Sequence, residues 1–282
     1  MKRILITGQN SYIGNSFENW VAQWPNDYKV EKVSLRNMEW LQKDWSTYDV
    51  IYHVVGIAHQ KETKDSYDSY FTINRDLTIQ VAQKAKKAGI KDFIFLSTMS
   101  IYGKNIGVIN CSTEKSPRNA YGKSKLEAEE MLSRMQDQHF KLTIIRPPMV
   151  YGKGCKGNYV SLSKFAKKVP IFPKIANERS MIFIDNLSEF VKNIIDLGIS
   201  GEFHPQNIDY VCTSDMVKII REEHNGKLKR VSLFNSIIKS LNFSAINKVF
   251  GNLVYDKKIS SFDLFDYQIA DFEKSIKITE GA

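Results

Sequence analysis

The fold class this sequence predicts is α/β, with a doubly wound parallel sheet, and three observations predict it. Short apolar runs alternate with longer segments of helical period, and the first run ends in a glycine turn that feeds a helix. At 282 residues and 43% hydrophobic content, the chain can also fill one large domain or a domain with a smaller lobe.

The elements follow in order. Ile4-Leu5-Ile6-Thr7 reads as a strand ended by Gly8, and Gln9 to Gly14 form a turn into a helix through Phe17, Trp20, Val21 and Trp24. A glycine turn at a helix N-terminus offers backbone N–H groups and a positive dipole end to a pyrophosphate. Gly8, Ser11, Tyr12, Ile13 and Gly14 are therefore candidate cofactor contacts, although Ser11 stands where a middle glycine is usual and an ordinary βα turn has the same shape. Lys29 to Leu35 is the second strand, and Arg36 follows it without an acidic neighbour to accept from a ribose 2′-OH. An arginine there pairs with a 2′-phosphate, which leans the cofactor towards NADP(H) over NAD(H), and a solvated strand-end charge is the alternative.

A third strand spans Asp49 to Val55 and leads to Gly56-Ile57-Ala58-His59, small residues that let a backbone approach a ligand. His53 inside that strand reads as a satisfied core residue, and His59, without ligand-spaced partners, is left unassigned. A helix from about Tyr67 to Ala88 carries Asn74, and a fourth strand, Lys91 to Leu96, ends in Ser97-Thr98 at the carboxyl edge where such sheets bind ligands. Leu142 to Arg146 is a strand closed by Pro147-Pro148. Beyond it the pattern predicts a helix over Ser161–Lys168, a strand over Met181–Ile184 and a helix from Asp185 to about Leu197. A strand from Ile208 and a helix capped by Ser214 or Asp215 complete it.

Composition narrows the class. No apolar run is long enough to span a bilayer, and Met1-Lys2-Arg3 leads into a strand rather than a signal-peptide core, so the expectation is a cytoplasmic protein with no membrane span. Cys111, Cys155 and Cys212 are widely spaced and odd in number, which speaks against a disulfide framework or a zinc site, and no metal is expected. The net charge of +9 permits a phosphorylated ligand, but no nucleic-acid module is visible and no nucleic-acid partner is expected.

The chemistry centres on Tyr121-Gly122-Lys123-Ser124-Lys125. In a segment rich in helix formers, Tyr121 and Lys125 fall at i and i+4 on one face, where an ammonium beside a phenol lowers the phenol pKa from about 10 and makes it a proton shuttle. A surface Tyr and Lys on an amphipathic helix satisfies the same five letters, so the surrounding motifs decide.

Those motifs are Thr7-Gly8-x5-Gly14, the Asn74 helix, Leu96-Ser97-Thr98-x3-Tyr102-Gly103, Tyr121-x3-Lys125, and Arg146-Pro147-Pro148-Met149-Val150-Tyr151-Gly152. Over residues 1 to about 225 they resemble, in order, the extended short-chain dehydrogenase/reductases of the NAD-dependent epimerase/dehydratase family. The stretches 146–159 and 177–187 resemble the bacterial UDP-N-acetyl-sugar 4-ketoreductase and 4-epimerase branch. The resemblance implies a Rossmann-type sheet with a small C-terminal substrate-binding lobe, divided as 1–165 for the cofactor core and 166–282 mainly for the lobe, with strand and helix segments returning to the core. It implies Tyr121 as the proton-transfer residue, Lys125 as the residue that lowers its pKa and bonds the nicotinamide ribose, and Thr98 as the group bonding the reacting sugar oxygen. Asn74 supports the active-site helix, and Val55, Gly56 and Pro147 complete the cofactor contacts. Asn158, Phe172 and Arg179 fall where the family contacts diphosphate and uracil.

Three departures matter: Ser11 in the loop, Met149 where relatives have a substrate-binding asparagine, and Met99-Ser100 where the 4,6-dehydratases carry Asp-Glu. The last argues against dehydratase chemistry. The expectation is an NAD(P)-dependent enzyme reducing a UDP-4-keto-6-deoxy-N-acetylhexosamine at C4. The alternatives are a UDP-hexose or UDP-N-acetylhexosamine 4-epimerase and, more remotely, a non-catalytic cofactor-sensing regulator. The resemblance also implies a homodimer.

Overall fold

The computed structural model describes residues 1–58, 63–233, 235 and 244–281. His59 lies outside the described residues. The chain forms two compact units, one of Met1–Gly103, Glu114–Pro147 and Ser188–Pro205, the other of Lys104–Thr113, Pro148–Leu187 and Gln206–Ala282. The divisions fall at other places than 165/166, and residues 188–205 of the C-terminal part belong to the first unit. The chain changes unit several times, once inside the helix Ile184–Leu197, and crossings made by ordinary turn and helix residues leave no composition shift to read.

In the first unit, β1 (Lys2–Thr7), β2 (Tyr28–Val33), β3 (Val50–His53), β4 (Asp92–Leu96), β5 (Lys141–Ile145) and β6 (Gly201–Phe203) form one parallel sheet in the spatial order β6-β5-β4-β3-β1-β2. Ile4, Leu5 and Ile6 are fully buried, as a parallel strand covered on both faces requires. The order reverses at β1, so the carboxyl ends of β1 and β3 flank the switch point where ligands of such sheets bind.

Two helices of the site begin at capping side chains. α1 (Tyr12–Val21) begins at Ser11, whose hydroxyl accepts from the Gly14 amide at 3.3 Å, and it buries Phe17 and Val21, one turn apart. Phe17 meets the Tyr52 ring edge-on at 5.3 Å between centroids. The expected Tyr67–Ala88 helix is in fact α2 (Lys64–Phe71), a π-helical turn over Thr72–Asp76, and α3 (Leu77–Lys87). Asn74 sits fully buried in the wide turn, and π-turns inside helices often mark functional positions. α4 (Ala120–Ser133) begins at Asn119, which accepts from the Gly122 amide at 2.8 Å.

The second unit is built from three two-stranded parallel sheets, Gly107–Ile109 with Leu253–Tyr255, Met149–Tyr151 with Met181–Phe183, and Ile171–Pro173 with Lys229–Val231. Helices Asn158–Ala166, Thr213–Glu223 and Phe272–Glu280 accompany them. Here Tyr159, Lys167 and His224 converge on the Glu280 carboxylate at 2.8, 3.0 and 3.0 Å.

Two expectations are corrected. The strand forms at Gly201–Phe203 rather than from Ile208, because pairing with β5 decides it and its residues Gly-Glu-Phe carry no apolar run. The Thr213–Glu223 helix starts from Cys212 with no side-chain cap. Ser214 accepts from the Ile175 amide at 3.1 Å and donates to the Pro173 carbonyl at 2.8 Å, while Asp215 pairs with Arg230.

No helix among the described residues is long and apolar enough to cross a membrane, and no cluster among them could hold a metal ion. All three cysteines are free thiols.

Candidate active site

The glycine turn comes first. Gly8 has φ +110°, and its amide donates to the Val33 carbonyl at 2.9 Å, which pins the end of β1 to the end of β2. A Cβ on Gly14 would come within 2.9 Å of the Ile6 side chain, so α1 packs on the strand with no room for one. Both glycines thus answer a steric demand, and the first-turn amides of Tyr12 and Ile13 carry the positive end of the α1 dipole. These features fit a dinucleotide pyrophosphate. Arg36 is exposed three residues beyond β2, with its amide donating to Ser34 Oγ at 3.3 Å.

The loop after β3 forms the next wall. A Cβ on Gly56 would lie 3.1 Å from both Asn74 Oδ1 and Lys125 Nζ, so this glycine lets those side chains reach the backbone. Asn74 accepts from the Ile57 amide at 2.8 Å and donates to the Ile57 carbonyl and to Ser124 Oγ, both at 3.1 Å. Ser124 in turn donates to the Tyr121 carbonyl at 2.9 Å. Behind them, fully buried His53 is hydrogen-bonded to Thr7 at 2.7 Å and Thr78 at 2.9 Å, the satisfied core residue the sequence suggested. Burial keeps it neutral by lowering its pKa well below 6.5, and the Lys125 charge adds to that.

Thr98, Tyr121 and Lys125 come together at the ends of β4 and α4. Thr98 is buried, and its Oγ1 accepts from the Ser100 amide at 3.1 Å and donates to Ser100 Oγ at 3.2 Å. Pro147 is buried nearby, its carbonyl accepting from the Met99 amide at 3.0 Å. Lys125 is 4% exposed and donates to the Leu96 carbonyl at 2.9 Å and the Val55 carbonyl at 3.4 Å, with the Phe95 ring 4.6 Å from its Nζ.

The electrostatics depart from the sequence argument. Burial raises the Tyr121 phenol above its ordinary value, the Thr98 hydroxyl acts against that, and Tyr70 adds a smaller upward push. Burial also draws Lys125 down to about 7, with Glu129 pulling the other way. The i, i+4 spacing put an ammonium beside a phenol in water, whereas the folded protein buries Lys125, half-buries Tyr121 and turns the ammonium to backbone carbonyls. In this state the phenol is raised rather than lowered.

The remaining candidates lie in the second unit. Asn158 is the exposed first residue of its helix. Phe172 is buried between Phe165 and Phe250, with centroids at 6.0 and 5.6 Å. Half-buried Arg179 donates from Nη1 to the Gly251 carbonyl at 3.0 Å and the Asn247 carbonyl at 3.4 Å, and burial lowers its pKa. The Ser244–Phe250 segment thus touches both Phe172 and Arg179.

Two residues escaped the sequence reading. Ser124 links Asn74 to the Tyr121 backbone, and Glu129 faces Lys125 from one turn on. Their spacing from Tyr121 and Lys125 on one helix was the available signal.

Comparison with known proteins places this geometry. The model of the NAD dependent epimerase/dehydratase family matches residues 4–196, and the chain belongs to that family. It is similar to a UDP-glucose 4-epimerase of Vibrio cholerae, 33% identical over 157 residues, covering 52% of this chain and 48% of the relative. It is also similar to the N-acetyl-α-D-glucosaminyl-diphospho-ditrans,octacis-undecaprenol 4-epimerase of Escherichia coli O157:H7, 29% identical over 163 residues, covering 56% and 49%. The chain thus spans about half the length of the curated relatives it matches. Among solved structures, UDP-glucuronic acid 4-epimerase from Bacillus cereus in complex with NAD superposes with TM-score 0.74 at 17% identity, covering 99% of this chain and 95% of that one. At that identity the likeness is one of fold.

Proposed function

We propose that this protein is an NAD(P)-dependent sugar-nucleotide oxidoreductase that works at C4 of the sugar, reducing a UDP-4-keto-6-deoxy-N-acetylhexosamine. The observation that carries the reading is buried Lys125, one turn beyond Tyr121 on the same helix and anchored to the Leu96 carbonyl at the strand end that also carries Thr98. The glycine turn and Lys125 would hold a nicotinamide cofactor, which would supply the hydride for C4. Thr98 then holds the C4 oxygen, and Tyr121, whose raised pKa keeps it protonated at neutral pH, donates its proton to that oxygen. Lys125 steadies the end of β4 through the Leu96 carbonyl and presents its ammonium to the nicotinamide ribose. Arg36, exposed beyond β2, is suited to a 2′-phosphate, which favours NADP(H). Arg179 is assigned to the substrate diphosphate, with Asn158 beside it in role and Phe172 assigned to uracil.

The names of the Vibrio and Escherichia relatives favour a second reading, 4-epimerisation, which uses the same residues and returns the hydride to the opposite face. Single-turnover absorbance separates the two. Stoichiometric loss of NADPH or NADH on adding the keto sugar establishes the reductase. Retained cofactor, with conversion of a UDP-hexose or UDP-N-acetylhexosamine into its C4 epimer, establishes the epimerase. Tyr121→Phe is expected to lower either turnover about 10²- to 10⁴-fold. Unchanged turnover in that variant would remove Tyr121 from the mechanism.

A further inference from the structure

α4 carries a second buried charge one turn beyond Lys125. Glu129 is 2% exposed, and its carboxylate accepts from Arg146 Nη2 at 2.7 Å, from Arg146 Nε at 3.0 Å and from the Ser97 hydroxyl. Arg146, 1% exposed, turns Nη1 to Glu202 at 2.7 Å and to the Tyr102 hydroxyl at 3.2 Å. Lys115 approaches the other edge of the Glu129 carboxylate at 3.9 Å. An apolar pair of similar volume often serves stability as well as a buried ion pair, so stability alone gives little reason for these charges.

Their setting suggests a different reason. Ser97 stands between Leu96, whose carbonyl takes the Lys125 ammonium, and Thr98, the residue assigned above to the sugar oxygen. Glu129 therefore grips the middle of a three-residue stretch that holds Lys125 at one end and presents Thr98 at the other. We propose that Glu129 is a positioning residue for Thr98, Tyr121 and Lys125, setting the 96–98 stretch through Ser97 and presenting a negative charge to Lys125. The assignment rests on the roles given above to Thr98 and Lys125.

The groups around Lys125 support it. From β3 comes neutral His53, from β4 the Phe95 ring and the Leu96 carbonyl, from the following loop the Val55 carbonyl, and from the π-helical turn the Asn74 amide. Glu129 is the one anionic side chain in this set. Burial lowers the Lys125 pKa and Glu129 opposes it, so removing the carboxylate lowers the pKa further.

The test reads Lys125 directly. Competitive acylation with limiting reagent across a pH series, followed by mass spectrometry of the Lys125 peptide, measures its protonation midpoint in the folded chain without sugar or cofactor. Glu129→Gln is expected to move that midpoint down by about one pH unit or more. If Glu129→Gln does not fold, Glu129→Gln combined with Arg146→Met removes both partners, leaves neither charge unpaired, and is expected to show the same downward movement. Ser97→Ala keeps both charges, so its midpoint should stay, while kcat falls about tenfold or more and KM changes little, since misplaced catalytic groups cost rate. A midpoint unmoved in the folded charge variant, or full kcat in Ser97→Ala, would overturn the proposal. If the unaltered protein fails to turn over the keto sugar or an epimerase substrate, that counts against the proposed reaction, and the labelling result alone decides Glu129.

Discussion

The two units bury different kinds of polar group. In the first, the buried polar set includes Lys125, Glu129 and Arg146, charges deep inside the protein. In the second, it consists, among the described residues, of neutral groups such as Asn177, Ser180, Asn186, Gln206, Asn207 and Ser275. The nearest approach to a buried charge there is Glu280, whose side chain is 4% exposed in the last described helix. Amides and hydroxyls satisfy one another at modest cost and give a loop-rich region a definite shape. Asn207, for example, accepts from the Phe183 amide at 2.9 Å and donates to the Tyr151 hydroxyl at 2.8 Å. Charges are far costlier to bury, and they gather where proton transfer is proposed. The contrast is one of degree: the first unit buries whole charged residues at the proposed site, while the second buries mostly neutral groups and perturbs a few charges, Arg179 and Glu280 among them.

The largest effect should come from unpairing a charge. Glu129→Ala leaves Arg146 buried with a lost partner and is expected to cost about 3–5 kcal/mol in denaturant unfolding. Asn207→Ala, which strands neutral groups, should cost about 1–3 kcal/mol, and equal losses in the two variants would break the comparison. A smaller effect should appear in the pH dependence of stability. The Lys125 pKa is about 7 in the folded chain against an ordinary value of 10.5, so between those values the unfolded chain binds more protons and stability rises with pH. Lys125→Met should flatten that rise and gain roughly 2–4 kcal/mol at pH 7, even as activity is lost. Parallel pH profiles for the two proteins would show that Lys125 is not the perturbed group. The smallest effect concerns Tyr52, fully buried with no hydrogen-bond partner for its hydroxyl among the described residues. Tyr52→Phe is expected to be neutral or to raise stability by about 1 kcal/mol, and a loss would reveal a hidden partner.

How far the site could be read beforehand varied by residue. Gly8 and Gly14 were legible because their constraints are local, a positive φ at one and a helix packed on its own preceding strand at the other. Tyr121 and Lys125 were legible as an i, i+4 pair and Thr98 as a strand-end residue because both features are short-range, whereas their joint role came from the family resemblance and stands as a proposal. Asn74 was found, but its π-helical turn was not. That turn depends on Ile57 and Ser124, and Ser124 is 50 positions away in sequence. Ser214 looked like a cap and instead bonds Pro173 and Ile175, since a distant backbone made the better offer.

By itself, then, the sequence determined the alternation of strand and helix, the glycine turn and the spacing of the reactive side chains, all of which follow from backbone sterics and helical period. Only the tertiary structure decided the strand order that brings β6 beside β5, the pairing of Glu129 with Arg146, and the downward shift of Lys125. Each of those depends on which distant groups exclude water from a side chain, and desolvation is a property of the packed whole.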